Sequence, residues 1–315
     1  MEIKYISPRQ VYEKLTMEKC IQLMKGVFMA FARDKAQNRL RSVLPVDSGK
    51  LMGIMPSLLA DRGAVGAKLI TVFHENYKKG LPSHQGVVAV FSTEDGSLKG
   101  LCDGSAITAV RTGAVSAVAT DILADKRASR LCLMGGGVQA DMHLRRMKAV
   151  RNIKSVTVWC PTLEESRAFI KRNENKYPDI AFTPCRDGRQ AAENADIICT
   201  VTASHTPVLM GDWVKKGAHI NAVGACAAKD RELDSACVAA SSFFCDSFNS
   251  CQAESGDYLI PLSEGVVDAG HVLCDLARLV SGKCEGRQSA DDITVFEALG
   301  LAAEDLACAH WLLEN

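Results

Sequence analysis

Short apolar runs alternate with amphipathic stretches through the middle of the chain, from about residue 128 to 286. Each run is rich in β-branched and other apolar residues and is too short for a helix. The clearest runs lie at 130–134, 155–159, 196–200, 219–223 and 242–246. This alternation of strands with helical segments is typical of β-α-β units, so it predicts a parallel sheet covered by helices.

The first part of the chain, residues 1 to about 125, has a mixed pattern of helical stretches and β-rich runs. Runs at 69–73 and 87–91 predict strands, and Asp95-Gly96 predicts a hairpin turn before the next apolar run. An Ala-rich stretch predicts a helix over 105–124. The tail, 292–315, also has a helical pattern, and we expect it to pack on the first region.

A glycine-rich loop directly follows the predicted strand at 130–134. It reads G-x-G-x-x-A, with Gly135, Gly137 and Ala140 in the three small-residue positions, and a helical pattern follows it. Gly135 would permit a tight turn, Gly137 would let the backbone approach a pyrophosphate, and Ala140 would let helix and strand pack closely. A plain turn also accounts for a glycine triplet, but the strand–loop–helix context favours a dinucleotide site.

These patterns predict an α/β protein of two domains. Residues 127–286 would form a Rossmann-type, doubly wound parallel sheet that binds the dinucleotide. Residues 1–126 together with 287–315 would form a smaller α+β domain. The length of 315 residues agrees with two domains.

The choice between NAD and NADP depends on the end of the second strand, where an acid usually holds the ribose hydroxyls of NAD. The sequence there is Cys160-Pro161-Thr162, with neither an acid nor an arginine. Glu164 and Glu165 come slightly late, and Arg167 would reach a 2′-phosphate from the following helix. We therefore expect NADP or NAD, with NADP preferred.

Composition narrows the class of protein. The chain has 37 basic and 37 acidic residues, and this balance argues against nucleic acid or an anionic membrane surface as a partner. The sequence contains no apolar run of about 20 residues and no signal-peptide core at its start, which predicts a cytoplasmic protein without a membrane segment. The 13 cysteines are scattered without a C-x-x-C pair, so we expect buried, reduced thiols and no metal site.

Three cations of the first region lie in apolar surroundings: Arg41, Lys68 and Arg111. Burying a cation is costly unless it has a partner. No acid close in sequence accounts for all three, so an anionic ligand is one interpretation. Unrelated cations on the surface are the other.

Several ordered motifs make the chain resemble the ornithine cyclodeaminase/μ-crystallin family over essentially its whole length. The motifs are 41–46 (RSVLPV), 66–68 (GAK), 80–85 (GLPSHQ), 103–108 (DGSAIT), 110–112 (VRT), 135–140 (GGGVQA), 195–200 (ADIICT), 217–225 (GAHINAVGA), 231–234 (RELD) and 292–305 (DITVFEALGLAAED). The resemblance implies a homodimer whose first region, with the C-terminal helix, forms the dimerisation and substrate domain.

The resemblance also implies the site residues. Arg41, Lys68 and Arg111 would hold the carboxylate of an amino or imino acid beside the nicotinamide and act as the catalytic residues, with Lys68 the candidate proton donor. Met55 and Cys226 would also contact the substrate. The residues implied at the cofactor are Ser83, Arg111, Thr112, Gly135, Gly137, Val138, Gln139, Ala140, Cys160, Thr162, Arg167, Thr200, Thr202, Val223, Gly224 and Gly300.

Cys226 departs from the pattern of the cyclodeaminases, which have an Asp there that handles the substrate amine. A free amino acid must lose a proton before hydride leaves its α-carbon, whereas a cyclic imine needs only hydride and a proton. The sequence therefore favours an NAD(P)H-dependent reductase of cyclic imino acids such as Δ1-pyrroline-2-carboxylate or Δ1-piperideine-2-carboxylate, or the reverse dehydrogenation. The alternatives are cyclodeamination of ornithine to proline, with Asp230 replacing the missing acid, and a non-catalytic protein that binds NADPH or a small ligand. Cys226 as a nucleophile has no evident base.

Overall fold

The computed structural model describes residues 3–315, apart from the side chains of His74 and Tyr77. The chain forms two compact units, which we call the first unit (Met1–Ala114 with Gly300–Asn315) and the second unit (Val115–Leu299). The sequence pattern placed the corresponding boundaries at 126 and 287. The first boundary differs because the division falls within the helix Gly104–Leu123. The second differs because the last strand of the parallel sheet comes after 287 and belongs to the second unit.

The first unit is built on a seven-stranded sheet in the order β1-β7-β6-β5-β4-β2, with β3 also paired to β4. All pairs are antiparallel except β1 with β7. The strands are β1 (Tyr5–Ile6), β2 (Ala36–Asn38), β3 (Ser42–Asp47), β4 (Lys50–Leu59), β5 (Ala64–Phe73), β6 (His84–Ser92) and β7 (Leu98–Asp103). The strands predicted at 69–73 and 87–91 and the turn at Asp95-Gly96 are thereby confirmed.

The helices of the first unit cover this sheet. They are α1 (Pro8–Lys14), α2 (Met17–Phe31), the start of α3 (Gly104–Leu123) and α11 (Ala302–Glu314), numbered in chain order. Residues 302–309 of α11 are all buried. A helix buried on every side must bring its polar residues into contact with partners in the core, and this requirement positions the site described below.

The second unit contains an eight-stranded parallel sheet in the order β10-β9-β8-β11-β12-β15-β13-β14. The strands are β8 (Arg130–Met134), β9 (Ser155–Trp159), β10 (Ala181–Cys185), β11 (Ile197–Thr200), β12 (His219–Ala222), β13 (Ser241–Cys245), β14 (Val272–Asp275) and β15 (Ile293–Glu297). The helices are α4 (Val138–Val150), α5 (Leu163–Asn173), α6 (Gly188–Ala192), α7 (Ser235–Ala239), α8 (Phe248–Glu254), α9 (Gly256–Ser263) and α10 (Leu276–Val280). The order runs outward in both directions from β8 and β11, which confirms the doubly wound Rossmann-type sheet.

Two sequence predictions about the end of the chain and the cysteines are wrong in part. Residues 293–297 form β15 instead of a helix, because their β-branched and aromatic side chains fill the place between β12 and β13. Cys274 and Cys284 form a disulfide, since α10 turns the chain back and leaves their Cα atoms 6.7 Å apart. The other cysteines carry free thiols, and all of these are buried except Cys226, which is half-buried.

The predicted helix at 105–124 is confirmed as α3. Within residues 3–315, α3 is the one helix that is long and apolar enough to cross a membrane by length and composition. Inside the protein 83% of its most apolar window is buried, as in the core helix of a globular domain.

Candidate functional site

The glycine-rich loop joins β8 to α4 and forms an open cradle. Gly135 has φ of 114°, a conformation that favours glycine, and its N–H donates to Trp159 O at 2.8 Å. Gly137 is the extended residue before α4, and nothing lies within 4 Å of the place where its Cβ would be. The N–H groups of a helix start next to open space suit a pyrophosphate, so these residues fit a dinucleotide.

The other residues predicted on the nicotinamide side lie at the same edge of the second unit's sheet. Thr200 is the last residue of β11 and pairs in register with Met134 of β8 and Ala222 of β12. Thr202, Val223 and Gly224 directly follow these strands, and Val223 N donates to Thr200 O at 3.1 Å. The structure therefore brings these residues together at the carboxyl ends of adjacent strands, where doubly wound sheets bind their ligands.

Of the residues predicted near the adenosine, Cys160 is buried, whereas Thr162 and Arg167 are exposed. Cys160 is buried, and a Cβ added to Gly136 would come within 2.7 Å of its Sγ, so this side chain lies beneath the glycine-rich loop. Thr162 caps α5 in a capping box, in which Glu165 Oε2 accepts from its backbone N and its hydroxyl at 3.1 Å. Arg167 is exposed on α5.

Sequence reasoning missed Arg172 and Asp141, which hold the glycine-rich loop in place. Arg172 donates through Nε to Asp141 Oδ2 at 3.1 Å and through Nη2 to the carbonyl oxygen of Gly136. Its guanidinium also lies 4.8 Å from the ring centroid of Phe169. Arg172 thus ties α5 to the first turn of α4 and to the loop between β8 and α4.

A buried cluster of charges lies in the first unit. Lys68 on β5 donates to Asp305 Oδ1 at 3.2 Å and to Thr108 Oγ1 at 2.6 Å. Arg111 on α3 donates through Nε to the same Asp305 oxygen at 3.2 Å and through Nη1 to Glu304 Oε2 at 2.7 Å. All four charged side chains are at least nine-tenths buried. We call Lys68, Arg111, Glu304 and Asp305 the ion cluster.

The cluster changes the acidity of its members. Burial lowers the pKa of Lys68 to about 8, with Arg111 acting in the same direction and Asp305 opposing both. Burial also lowers the pKa of Arg111, but Asp305 and Glu304 outweigh it, so that the pKa lies above its usual value. Arg111 is therefore a permanent cation, whereas Lys68 is able to give up its proton near neutral pH.

Arg41, Met55 and Gly300 surround the cluster. Arg41 Nη2 donates to the carbonyl oxygen of Gly300 at 3.4 Å, and Met55 on β4 is the cross-strand partner of Lys68. A Cβ at Gly300 would lie 2.9 Å from Arg111 Nη2, so the close approach of this guanidinium requires glycine. The charge of Arg41 also lowers the pKa of Lys68, so Arg41, Lys68 and Arg111 lie close to one another in the first unit.

This arrangement corrects the interpretation of the cations. Lys68 and Arg111 do have acidic partners, which come from the start of α11 and lie far away in the sequence. The sequence motif at 292–305 contained Glu304 and Asp305, but nothing in the local pattern gave them a role. The periodicity of α11, which places both acids in a helix without a polar face, was the one signal that could have done so.

The remaining predicted residues are placed as follows. In the first unit, Ser83 Oγ lies 3.0 Å from His84 Nδ1, and Thr112 donates to Thr108 O at 2.8 Å within α3. Val138 and Gln139 begin α4 in the second unit. Cys226 lies in the loop after β12, where its Sγ is 3.6 Å from Val223 O. Asp230, considered as a substitute acid, lies 2.8 Å from His205 Nδ1.

We predict that Arg111→Met destabilises the protein by about 3–5 kcal/mol, because it leaves two buried carboxylates without their shared cation. Arg9→Met is the matched control, since Arg9 pairs with Glu13 on the surface of the same unit. We expect that control to change stability by no more than about 0.5 kcal/mol in urea denaturation. Equal stability of the two variants would contradict the energetic role of the ion cluster.

Known proteins that are similar in sequence and in fold identify the family of this chain. The model of the ornithine cyclodeaminase/mu-crystallin family matches residues 4–315. The ketimine reductase mu-crystallin of Mus musculus is 36% identical over 277 residues, which are 88% of this chain and 84% of that protein. A Delta(1)-pyrroline-2-carboxylate reductase of Bacillus cereus is 33% identical over 312 residues, 98% of this chain and 95% of that protein.

Solved structures agree with these relatives. The Thermococcus litoralis Delta(1)-pyrroline-2-carboxylate reductase, in complex with NADH and L-proline, superposes with a TM-score of 0.95 at 35% identity and covers 98% of this chain and 96% of that chain. An archaeal alanine dehydrogenase dimer with bound NAD gives a TM-score of 0.92 at 27% identity, over 100% of this chain and 96% of that chain. The protein therefore belongs to the ornithine cyclodeaminase/mu-crystallin family, as its sequence motifs predicted.

Proposed function

We propose that this protein is an NAD(P)H-dependent oxidoreductase that reduces the C=N bond of small cyclic imino acids, such as Δ1-pyrroline-2-carboxylate or Δ1-piperideine-2-carboxylate. The observation that carries the proposal is that Arg41, Lys68 and Arg111 come together in the first unit, since converging cations suit the binding of a carboxylate. The Thermococcus litoralis relative, which binds NADH and L-proline, supports the same substrate class.

In this proposal, Arg41 and Arg111 bind the substrate carboxylate through charge-assisted hydrogen bonds. When it is bound, NAD(P)H supplies a hydride to the imine carbon. Lys68 supplies the proton that the imine nitrogen needs, so that the C=N double bond becomes a C–N single bond bearing one new hydrogen at each end. A lysine with a pKa of about 8 is mostly protonated at neutral pH and yields its proton more easily than an ordinary lysine.

Asp305 and Glu304 have a separate task. They fix the guanidinium of Arg111 from one side, so the orientation of the carboxylate-binding group is set before the substrate arrives. Asp305 also keeps the ammonium of Lys68 in place and raises its pKa against the effect of burial. The ion cluster therefore combines a permanent cation for binding with a titratable one for proton transfer.

The proposal extends to the cofactor and to assembly. NAD(P) is the cofactor class of the family, and the preference for NADP over NAD stays a prediction. We propose a homodimer, which the archaeal alanine dehydrogenase dimer supports. The apolar side chains of Val43, Leu44 and Val46, exposed along β3, agree with a face that a second copy covers. A cytoplasmic location also stays a prediction.

The direct test is oxidation of NADH and NADPH, separately, by the purified protein with the five- and six-membered cyclic imines. We expect imine-dependent oxidation with either ring, and no formation of proline and ammonia from ornithine with NAD. Proline formation without net reduction would overturn the proposal in favour of cyclodeamination. Binding of NADPH without any turnover would favour the non-catalytic alternative.

Cys226→Asp serves as the companion variant in this assay. If the missing acid separates the two activities, the variant gains ornithine turnover and loses imine reduction. If the native protein already turns over ornithine, the variant brings no gain, and Asp230 or another group has replaced the acid.

We predict that the rate of imine reduction falls as the pH rises through about 8, because Lys68 loses its proton there. Asp305 raises the pKa of Lys68, so Asp305→Asn moves the falling limb of the kcat/KM profile to lower pH. Asp47→Asn, on the surface of the same unit, is the control and leaves the limb in place. An identical profile for Asp305→Asn and the native protein would contradict the role of Lys68 as proton donor.

A further inference from the structure

The carboxyl group of Glu232 joins two loops of the second unit. Its Oε1 accepts from the backbone N of Thr202 at 2.7 Å and from the Thr202 hydroxyl at 2.6 Å. Its Oε2 accepts from the backbone N of Gly224 at 2.7 Å. Thr202 follows β11 and Gly224 follows β12, so one side chain connects the exits of two adjacent parallel strands. We call this arrangement the carboxylate bridge.

Glu232 is itself held firmly. Its backbone N and that of Leu233 donate to Asp257 Oδ1, at 2.9 and 2.7 Å. Its carbonyl oxygen accepts from the backbone N of Val208 at 2.7 Å and of Leu209 at 3.0 Å. Glu232 therefore fixes both ends of the loop after β11. Thr202, at one end, donates to the side chain of Glu232, and Val208 and Leu209, at the other end, donate to its backbone carbonyl oxygen.

The bridge requires a carboxylate. Glu232 is fully buried, and burial raises its pKa above the usual value, although the donors from Thr202 and Gly224 act in the opposite direction. Both of its oxygens accept from backbone N–H groups, which fits the ionised form. An amide side chain of the same size has one accepting oxygen and one NH₂ group. Its oxygen can accept from the N–H of one loop, but its NH₂ group would then face the N–H of the other loop, and two donors form no hydrogen bond.

The two loops approach each other as closely as a glycine allows. A Cβ at Gly224 would lie 2.1 Å from Thr202 O and 2.6 Å from Glu232 Oε1. The spacing between the loops is thus set by direct contact together with the bridge. Both loops lie at the edge of the sheet where β8 leads into the glycine-rich loop, since Thr200, Met134 and Ala222 are in register.

We propose that Glu232 is a positioning residue for the nicotinamide half of the cofactor. It would hold the loops after β11 and β12 as one rigid edge, so that Thr202, Val223 and Gly224 present a fixed surface to the nicotinamide. The inference rests on the proposed function for the reaction itself, but the bridge is a property of the second unit alone. The glycine-rich loop that takes the pyrophosphate shares no hydrogen bond with Glu232 among the residues that the structure describes.

The test compares binding of NADH with binding of ADP-ribose, which has the adenine half and the pyrophosphate but no nicotinamide. Glu232→Gln keeps the size of the side chain and breaks one side of the bridge. We expect it to weaken NADH about tenfold while ADP-ribose changes less than about twofold, because misplaced positioning groups cost binding and rate only where they act. Single-turnover hydride transfer to the imine would fall about 10- to 100-fold.

Asp196→Asn is the matched control. Asp196 also bridges backbone groups with a carboxylate, accepting from the N–H groups of Ser129 and Arg130 at 2.8 and 2.9 Å. It directly precedes β11 and therefore lies at the opposite edge of the same sheet. The two variants are compared at a similar loss of melting temperature. If Glu232 acted only through the general stability of the protein, Asp196→Asn would change the ratio of NADH affinity to ADP-ribose affinity as much as Glu232→Gln does. That result would overturn the proposal, as would an unchanged ratio in Glu232→Gln.

A second variant covers the case in which Glu232→Gln fails to fold. Glu232→Asp retains the charge but is shorter by one methylene group, so it reaches the two loops less well. We expect the same selective loss of NADH affinity, and equal loss of NADH and ADP-ribose would contradict the proposal. If the native protein reduces no imine, the proposed function fails, while the ratio of the two affinities still decides the role of Glu232.

Discussion

The first unit depends on one electrostatic constraint: two carboxylates in the buried first part of α11 must be neutralised inside the protein. Glu304 and Asp305 lie at the start of α11 with no exposed surface. Lys68 from β5 and Arg111 from α3 meet them, so the C-terminal helix, the sheet and the long helix are joined at one point. Removing either the cations or the carboxylates would leave the opposite charges buried without a partner. This costs more free energy of folding than the ion pairs contribute. Arg41 lies close enough to this cluster for its charge to lower the pKa of Lys68.

In the second unit, carboxylates organise both edges of the parallel sheet. Asp196 collects backbone N–H groups where β11 begins, and Glu232 does so where β11 and β12 end. Loops at the ends of parallel strands have backbone donors that the sheet does not pair, and an acid that accepts several of them fixes the loops without a ligand. Preorganised loops bind a cofactor without first losing conformational freedom, which is the advantage a dinucleotide site gains from such bridges.

The sequence predicted local features well and long-range ones poorly. The β8–loop–α4 motif, the strands at 130–134 and 155–159 and the family were predicted, because each is carried by contiguous residues with a short period. The strand β15 was missed since it is inserted between β12 and β13, which precede it by many residues. Asp305 lies 237 residues from Lys68 in the sequence. Arg111 is separated by 193 residues from Glu304 and by 194 from Asp305. No local pattern reports such contacts, and the disulfide between Cys274 and Cys284 likewise depended on the reversal of α10.

We propose that Arg41, Lys68 and Arg111 select a ligand that bears a carboxylate. The most direct measurement is the affinity of L-proline and of L-prolinamide for the native protein saturated with NADH, since the two ligands differ in the charge of one group. We expect L-proline to bind at least about tenfold more tightly, because a charge-assisted contact is lost in the amide. Equal affinities would contradict the assignment of Arg41, Lys68 and Arg111 to the substrate carboxylate.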